Sequence, residues 1–128
     1  MPRILVVDDE RGIRSLLILT LRKAGYMVFA ASDAQEAMSL MADAGPFDVV
    51  LSDVIMPLVD GHELVRRVMK RYPGTRCVLM SGFDDTDCQE CPFALRCRVL
   101  QKPFAPRDAL CLIERVLNER PQLGAGEH

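Results

Sequence analysis

Two uninterrupted runs of branched apolar residues, Ile4-Leu5-Val6-Val7 and Val49-Val50-Leu51, restrict the fold more than any other feature of the chain. Neither alternates apolar with polar residues, so neither reads as a strand with one wet face. Each reads as a strand buried on both faces. Such strands need helices above and below the sheet, and the intervening stretches supply them. Ile13, Leu16, Leu17, Leu21 and Ala24 fall at helical spacing, and Gly25 suits the position just past a helix end. Met27-Val28-Phe29-Ala30 reads as a second strand. Ser32 or Asp33 can cap the next helix, whose inner stripe is Ala34, Ala37, Met38 and Met41. Gly45-Pro46 breaks the chain before the run at Val49. A third helix is expected from about His62 to Arg71, with Leu64, Val65, Val68 and Met69 inward. Arg76-Cys77-Val78-Leu79-Met80 and Val99-Leu100-Gln101 are the fourth and fifth strands. Pro106 can open a last helix with Ala109, Leu110, Ile113, Val116 and Leu117 inward. Alternation of this kind predicts an α/β domain, a five-stranded parallel sheet with helices on both faces.

The strand-like runs end in polar residues. Asp8-Asp9-Glu10 follows the first, Asp53 ends the third, Ser81-Gly82 follows the fourth and Lys102-Pro103 the fifth. In one parallel sheet these groups converge on the carboxyl edge, where open α/β folds bind ligands. Taken singly, each has a plainer reading: Asp8 or Asp9 as a helix cap, Ser81 as a turn residue, Lys102 as a solvated cation. Taken together, Asp8, Asp9 and Asp53 crowd three like charges, which raise one another's pKa unless a cation neutralises them. Hard oxygen ligands suit Mg2+, which prefers one or two carboxylates with phosphate and water oxygens. Lys102 supplies a point charge for a phosphoryl group, and Ser81 a hydroxyl donor. Asp53 is then a carboxylate nucleophile able to form an acyl phosphate.

Length bounds the alternatives. With 128 residues the chain is long enough for one domain with a real core. The expected boundaries are a domain over residues 1–120 and a loose tail over 121–128. The net charge of −2 carries no basic block, which argues against direct nucleic-acid binding. No apolar stretch approaches the roughly 20 residues of a membrane span, and no secretory signal is evident, so a cytoplasmic location is expected. An odd count of five cysteines (Cys77, Cys88, Cys91, Cys97 and Cys111) does not resemble a disulfide framework.

The motifs Leu5-Val6-Val7-Asp8-Asp9-Glu10, Asp53-Val54-Ile55-Met56-Pro57 with Gly61, Met80-Ser81-Gly82 and Lys102-Pro103-Phe104 resemble those of the receiver domain of two-component response regulators. The resemblance covers roughly residues 2–119. It implies a flavodoxin-like (βα)5 fold with strand order 2-1-3-4-5. It implies phosphoryl transfer to Asp53 from a histidine kinase or a phosphotransfer protein, and no activity beyond the domain's own phosphorylation and dephosphorylation. By the same resemblance, Asp9, Asp53 and the Ile55 backbone carbonyl bind Mg2+ directly, Asp8 acts mainly through water, and Ser81 and Lys102 meet the phosphoryl oxygens. The partner would be a downstream protein or output domain, met through the surface of the fourth helix, fifth strand and last helix. Arg107, Glu114 and Arg115 lie on that surface, and homodimerisation through it is an option.

The sequence departs from the family at Val99 and over residues 83–98, and two further positions bear on how long the family's phosphoryl group lasts. The family's switch pairs the hydroxyl residue, here Ser81, with an aromatic ring three residues before the lysine, and that position is Val99. Positions two after the acceptor and two after the hydroxyl are Ile55 and Phe83, both apolar and unable to position an attacking water. A long-lived acyl phosphate is expected. Residues 83–98 contain Pro92, so the fourth helix should be short or irregular. That segment also carries Cys88-x2-Cys91-x5-Cys97, which reads as free thiols, a reversible disulfide or a metal site. The rival functions are therefore a thiol redox or metal sensor and an interaction module that works without phosphorylation. A dehalogenase-type phosphatase is a further rival. It would carry a second acid two residues after its nucleophile, where this chain has Ile55.

Overall fold

The computed structural model describes residues 1–56, 58–81 and 97–119, with the Cys97 side chain left aside. Five strands form one parallel sheet: β1 (Arg3–Val7), β2 (Met27–Ala31), β3 (Val49–Asp53), β4 (Arg76–Ser81) and β5 (Cys97–Gln101). Their order is β2-β1-β3-β4-β5, as the family resemblance implies. Four described helices accompany them: α1 (Arg11–Lys23), α2 (Ala34–Ala44), α3 (Gly61–Arg71) and α4 (Pro106–Asn118). The fourth helix expected within residues 83–98 lies outside the described residues.

Side-chain alternation along each strand divides the core in two. Leu5, Val7, Val50, Cys77 and Leu79 face α2 and α3, where Ala37, Met41, Leu64, Val65 and Val68 meet them. Ile4, Val6, Val49, Leu51, Val78 and Met80 face α1 and α4, against Leu17, Leu21, Ile113 and Val116. Successive residues of β1, β3 and β4 thus feed opposite cores, which explains why their sequences show no polar alternation.

Helix ends follow their local chemistry. Asp33 caps α2, its Oδ1 accepting from Glu36 N at 2.7 Å, while Glu36 Oε1 accepts from Ser32 N at 2.8 Å. Asp60 caps α3 in the same way through Glu63 N at 2.9 Å. Gly25, with φ +100°, takes the left-handed turn after α1. The expected α1 stripe needs one correction. Leu16 is exposed, because it lies about 100° round the helix from Leu17, outside the arc set by Leu17 and Leu21. Ala24 is the helix's C-cap and is also exposed. Strand β5 begins two residues earlier than expected, at Cys97, because pairing with Cys77 and Val78 of β4 extends it.

Candidate functional site

The parallel register delivers the polar residues to one edge. Asp8 follows β1 directly, Asp53 closes β3, Ser81 closes β4 and Lys102 follows β5. Val7 pairs with Ser52, Asp53 with Met80 and Ser81 with Gln101, so the strand ends lie level.

Asp8, Asp9 and Asp53 each offer a carboxylate oxygen, and these atoms lie within 4.8 Å of one another. Asp8 is fully buried, Asp53 is 6% exposed, and Asp9 opens to solvent. Asp8 Oδ1 accepts from Glu10 N at 2.8 Å, whereas its buried Oδ2 has no partner among the described residues. A buried carboxylate oxygen left unmatched is costly. Burial pushes the Asp8 carboxyl above the usual carboxylate range. The Glu10 amide opposes this, and the charges of Asp53 and Asp9 add to it. The all-oxygen donor set, the orphaned Oδ2 and the crowded negative charge fit a hard divalent cation.

Lys102 Nζ stands 3.0 Å from Asp53 Oδ2. Burial alone would pull the ammonium's pKa down, but the hydrogen bond and charge of Asp53, with Asp8 and Glu10, outweigh it and raise it. Lys102 therefore stays cationic. Its backbone N donates to Ser81 O at 2.7 Å, tying the end of β4 to the residue after β5. The Lys102–Pro103 peptide is cis. The Ser81 side chain is buried at this edge.

The backbone around Asp53 is tightly fixed. Val54 N donates to Met80 O at 3.0 Å, and Gly61 N to Val54 O at 2.7 Å. A Cβ at Gly61 would lie 2.8 Å from Val54 Cα, 3.0 Å from Asp53 C and closer still to Asp53 O, so only glycine fits. Ile55 N reaches Asp53 Oδ1 at 3.4 Å, and the Ile55 side chain is 64% exposed.

The sequence-predicted residues Asp8, Asp9, Asp53, Ser81 and Lys102 thus come to one edge. Val99 does not: it lies within β5 opposite Leu79 and is 39% exposed. Of the thiol segment, Cys88 and Cys91 lie outside the described residues, as does Phe83, and Cys97 contributes its backbone to β5. Sequence reasoning missed Arg14, whose Nη1 donates to Asp8 O at 2.6 Å. The available signal was a cation one turn into the helix that follows the acidic turn.

The sequence model of the response regulator receiver domain matches residues 4–114. The chain is 35% identical over 118 residues to the response regulator receiver protein CpdR of Brucella abortus, covering 91% of this chain and 98% of that one. It is 30% identical over 119 residues to the sensor kinase CckA of the same organism, but there 91% of this chain spans only 13% of the kinase. Among solved structures it is similar to the chemotaxis response regulator CheY4 of Vibrio cholerae. The TM-score is 0.80 at 34% identity, over 91% of this chain and 98% of that one.

Proposed function

The chain belongs to the response regulator receiver domain family, and on that footing we propose that Asp53 is its phosphoacceptor. The observation that carries the reading is the seating of the Asp53 carboxylate between Lys102 Nζ, 3.0 Å away, and the carboxylates of Asp8 and Asp9.

Asp53 attacks the phosphorus of a phosphohistidine or a small acyl phosphate. A carboxylate oxygen–phosphorus bond forms as the bond from phosphorus to the donor atom breaks, and the donor leaves with the electron pair. Asp9, Asp53 and the Ile55 carbonyl would hold Mg2+ directly, with Asp8 behind them through water. Bound there, Mg2+ would offset the negative charge gathered on the phosphoryl oxygens and the carboxylates. Lys102 gives up its contact with Asp53 Oδ2 to meet a phosphoryl oxygen, and the Ser81 hydroxyl meets another. The buried floor and the fixed backbone at Val54 and Gly61 hold Asp53 in line for attack.

The switch differs from the family's aromatic pattern, because Val99 has no ring to swing. The signal travels instead through the backbone after Ser81, and the 2.7 Å bond from Lys102 N to Ser81 O supports this by joining two phosphoryl-sensing residues through main chain. Val99→Tyr should therefore leave partner affinity of the phosphorylated form nearly unchanged; a large change would refute this route. With Ile55 offering no polar group over Asp53, the acyl phosphate should last well beyond seconds. The donor is a histidine kinase or phosphotransfer protein. The recipient is a downstream protein or output domain, and homodimerisation through the α4 side, with Arg107, Glu114 and Arg115, is a further output. The domain performs no turnover beyond its own phosphorylation state. None of the described helices is long and apolar enough to cross a membrane, and we place the domain in the cytoplasm, acting through proteins rather than nucleic acid.

The test is phosphorylation by acetyl phosphate with Mg2+, read as a mass increase, together with beryllofluoride binding. Wild type should score in both and Asp53→Asn in neither. A wild-type chain that stays unmodified with acetyl phosphate and with an active donor kinase would overturn the assignment.

A further inference from the structure

Among the described residues, three hydrogen bonds made by Asp8 hold the turn between β1 and α1. Asp8 N donates to Ala31 O of β2 at 3.1 Å, Glu10 N to Asp8 Oδ1 at 2.8 Å, and Arg14 Nη1 to Asp8 O at 2.6 Å. The first two come from backbone amides and need nothing beyond the strand pairing and an acid at position 8. The third depends on one side chain, reaching back six residues from the first turns of α1.

The bond's position gives it its importance. The Asp8 carbonyl belongs to the peptide plane that joins Asp8 to Asp9. Rotation of that plane changes the direction of the Asp9 Cα–Cβ bond. Asp9 is exposed, and among the described residues no hydrogen bond to its own carboxylate holds it toward Asp8 and Asp53. The carboxylate nonetheless comes within 4.8 Å of both. The orphaned, buried Oδ2 of Asp8 lies on the same residue whose carbonyl Arg14 grips, so that grip bears on two of the three acids.

We propose that Arg14 is a positioning residue for the acid site: it locks the Asp8–Asp9 peptide plane so that the Asp9 carboxylate is already aimed at a divalent cation. This rests on the reading of Asp8, Asp9 and Asp53 as a Mg2+ site. The sign of the effect separates it from simple electrostatics. A guanidinium held on the Asp8 carbonyl opposes a nearby cation by charge, so on charge alone its loss would leave Mg2+ binding unchanged or tighter. Loss of the lock would weaken it, because Asp9 would have to be ordered on binding.

The experiment titrates Mg2+ into the full chain, followed by amide NMR shifts, for wild type, Arg14→Met and Arg14→Lys. Arg14→Met keeps the aliphatic stem packed and removes charge and donors. Arg14→Lys keeps the cation and a donor able to reach the same carbonyl. The expected result is a Kd about 10-fold weaker for Arg14→Met and within about threefold of wild type for Arg14→Lys. The metal-free melting temperature in chelator should stay within about 2 °C of wild type for both, because the two backbone-amide bonds to Asp8 and Ala31 keep the turn. Unchanged or tighter Mg2+ binding by Arg14→Met overturns the proposal. So does a parallel collapse of the metal-free melting temperature, which would mark a merely structural bond. A wild-type chain that binds no Mg2+ overturns the cation site itself, an outcome distinguishable from the other two.

Discussion

Gly61→Ala isolates the backbone cradle of Asp53. The added Cβ would meet Asp53 O, Asp53 C and Val54 Cα, all main-chain atoms, with the last two at 3.0 and 2.8 Å. No side chain can swing aside, so the β3–α3 junction must shift by something on the order of 1 Å. Overpacking of this kind costs about 1–3 kcal/mol, and a rigid neighbour favours the upper half. Replacing glycine by alanine at the start of a helix returns about 0.5–1 kcal/mol through the unfolded chain. The net loss is then about 2 kcal/mol, or roughly 8 °C in melting temperature for a domain of this size. The matched control is Gly12→Ala in α1, where an added Cβ meets nothing within 4 Å; it should stabilise by about 0.5–1 kcal/mol. The displaced carbonyl belongs to Asp53, so phosphorylation by acetyl phosphate should fall at least about tenfold in Gly61→Ala at a temperature where the variant is fully folded. Urea melts by circular dichroism read the stability, and mass spectrometry the modification. If Gly61→Ala proved as stable as wild type and accepted phosphoryl at the same rate, the close packing of Gly61 against Asp53 would be refuted.

Three further substitutions test other parts of the structure. Asp8 has its carboxyl pKa raised by burial first and by Asp53 and Asp9 after it, so the folded state holds the Asp8 proton more tightly than the unfolded chain does. That contribution to stability is present below the unfolded value of 3.8 and is lost as pH rises through the folded value. In chelator, Asp8→Asn should therefore melt higher than wild type at pH 7, with the gap closing as pH approaches 4; a gap that grew on acidification would contradict this. Leu58 sits at φ +70° and is 96% exposed, so Leu58→Asn should relieve about 1 kcal/mol of left-handed strain while exposing no core, measured by urea midpoint. Arg3 lies over Phe29 and Phe47, 5.1 and 5.4 Å from their ring centres, and its guanidinium donates to Pro46 O at 3.2 Å and to Ala44 O. Arg3→Lys keeps the charge but loses the planar fork, and should cost about 1–2 kcal/mol in the same melts.

What could be read in advance depended on how local each determinant is. Runs such as Ile4-Leu5-Val6-Val7 announce strand type because both neighbours of every residue are buried, a property of the strand alone. From there, parallel connection rules bring Asp8, Asp53, Ser81 and Lys102 to one edge with little freedom left. Leu16 misled because apolar character does not report angle: Leu16 and Leu17 are equally apolar, and only the packing of α1 on β1 and α4 selects the second. The Arg14 bond was hidden because it joins a helix side chain to a main-chain carbonyl, and carbonyls have no sequence signature. The close approach at Gly61 was visible as a glycine but not as a contact with Asp53.

The two edges of the sheet divide the energetic roles. At the amino edge, polar groups are matched across elements. Asp48 Oδ2 accepts from Arg3 N at 2.7 Å, Thr75 Oγ1 donates to Phe47 O at 2.7 Å, and Arg98 Nη2 pairs with Glu119 Oε2 at 2.6 Å. Arg76 Nη2 also donates to Glu119 O, so β4, β5 and the end of α4 close on one another. At the carboxyl edge the balance is reversed: Asp8 Oδ2 is buried without a partner among the described residues, three acids crowd together and Leu58 holds a left-handed turn. A fold only marginally stable overall can keep such a cluster only if its remaining parts are well satisfied. Lys102 belongs to both regimes. Its backbone N is fixed to Ser81 O, while its ammonium rests on Asp53 and is partly open to solvent. On the phosphoacceptor reading, that asymmetry, a pinned main chain beneath a partly exposed cation, would let a change of charge on Asp53 be felt along the ends of β4 and β5 without disturbing the core beneath them.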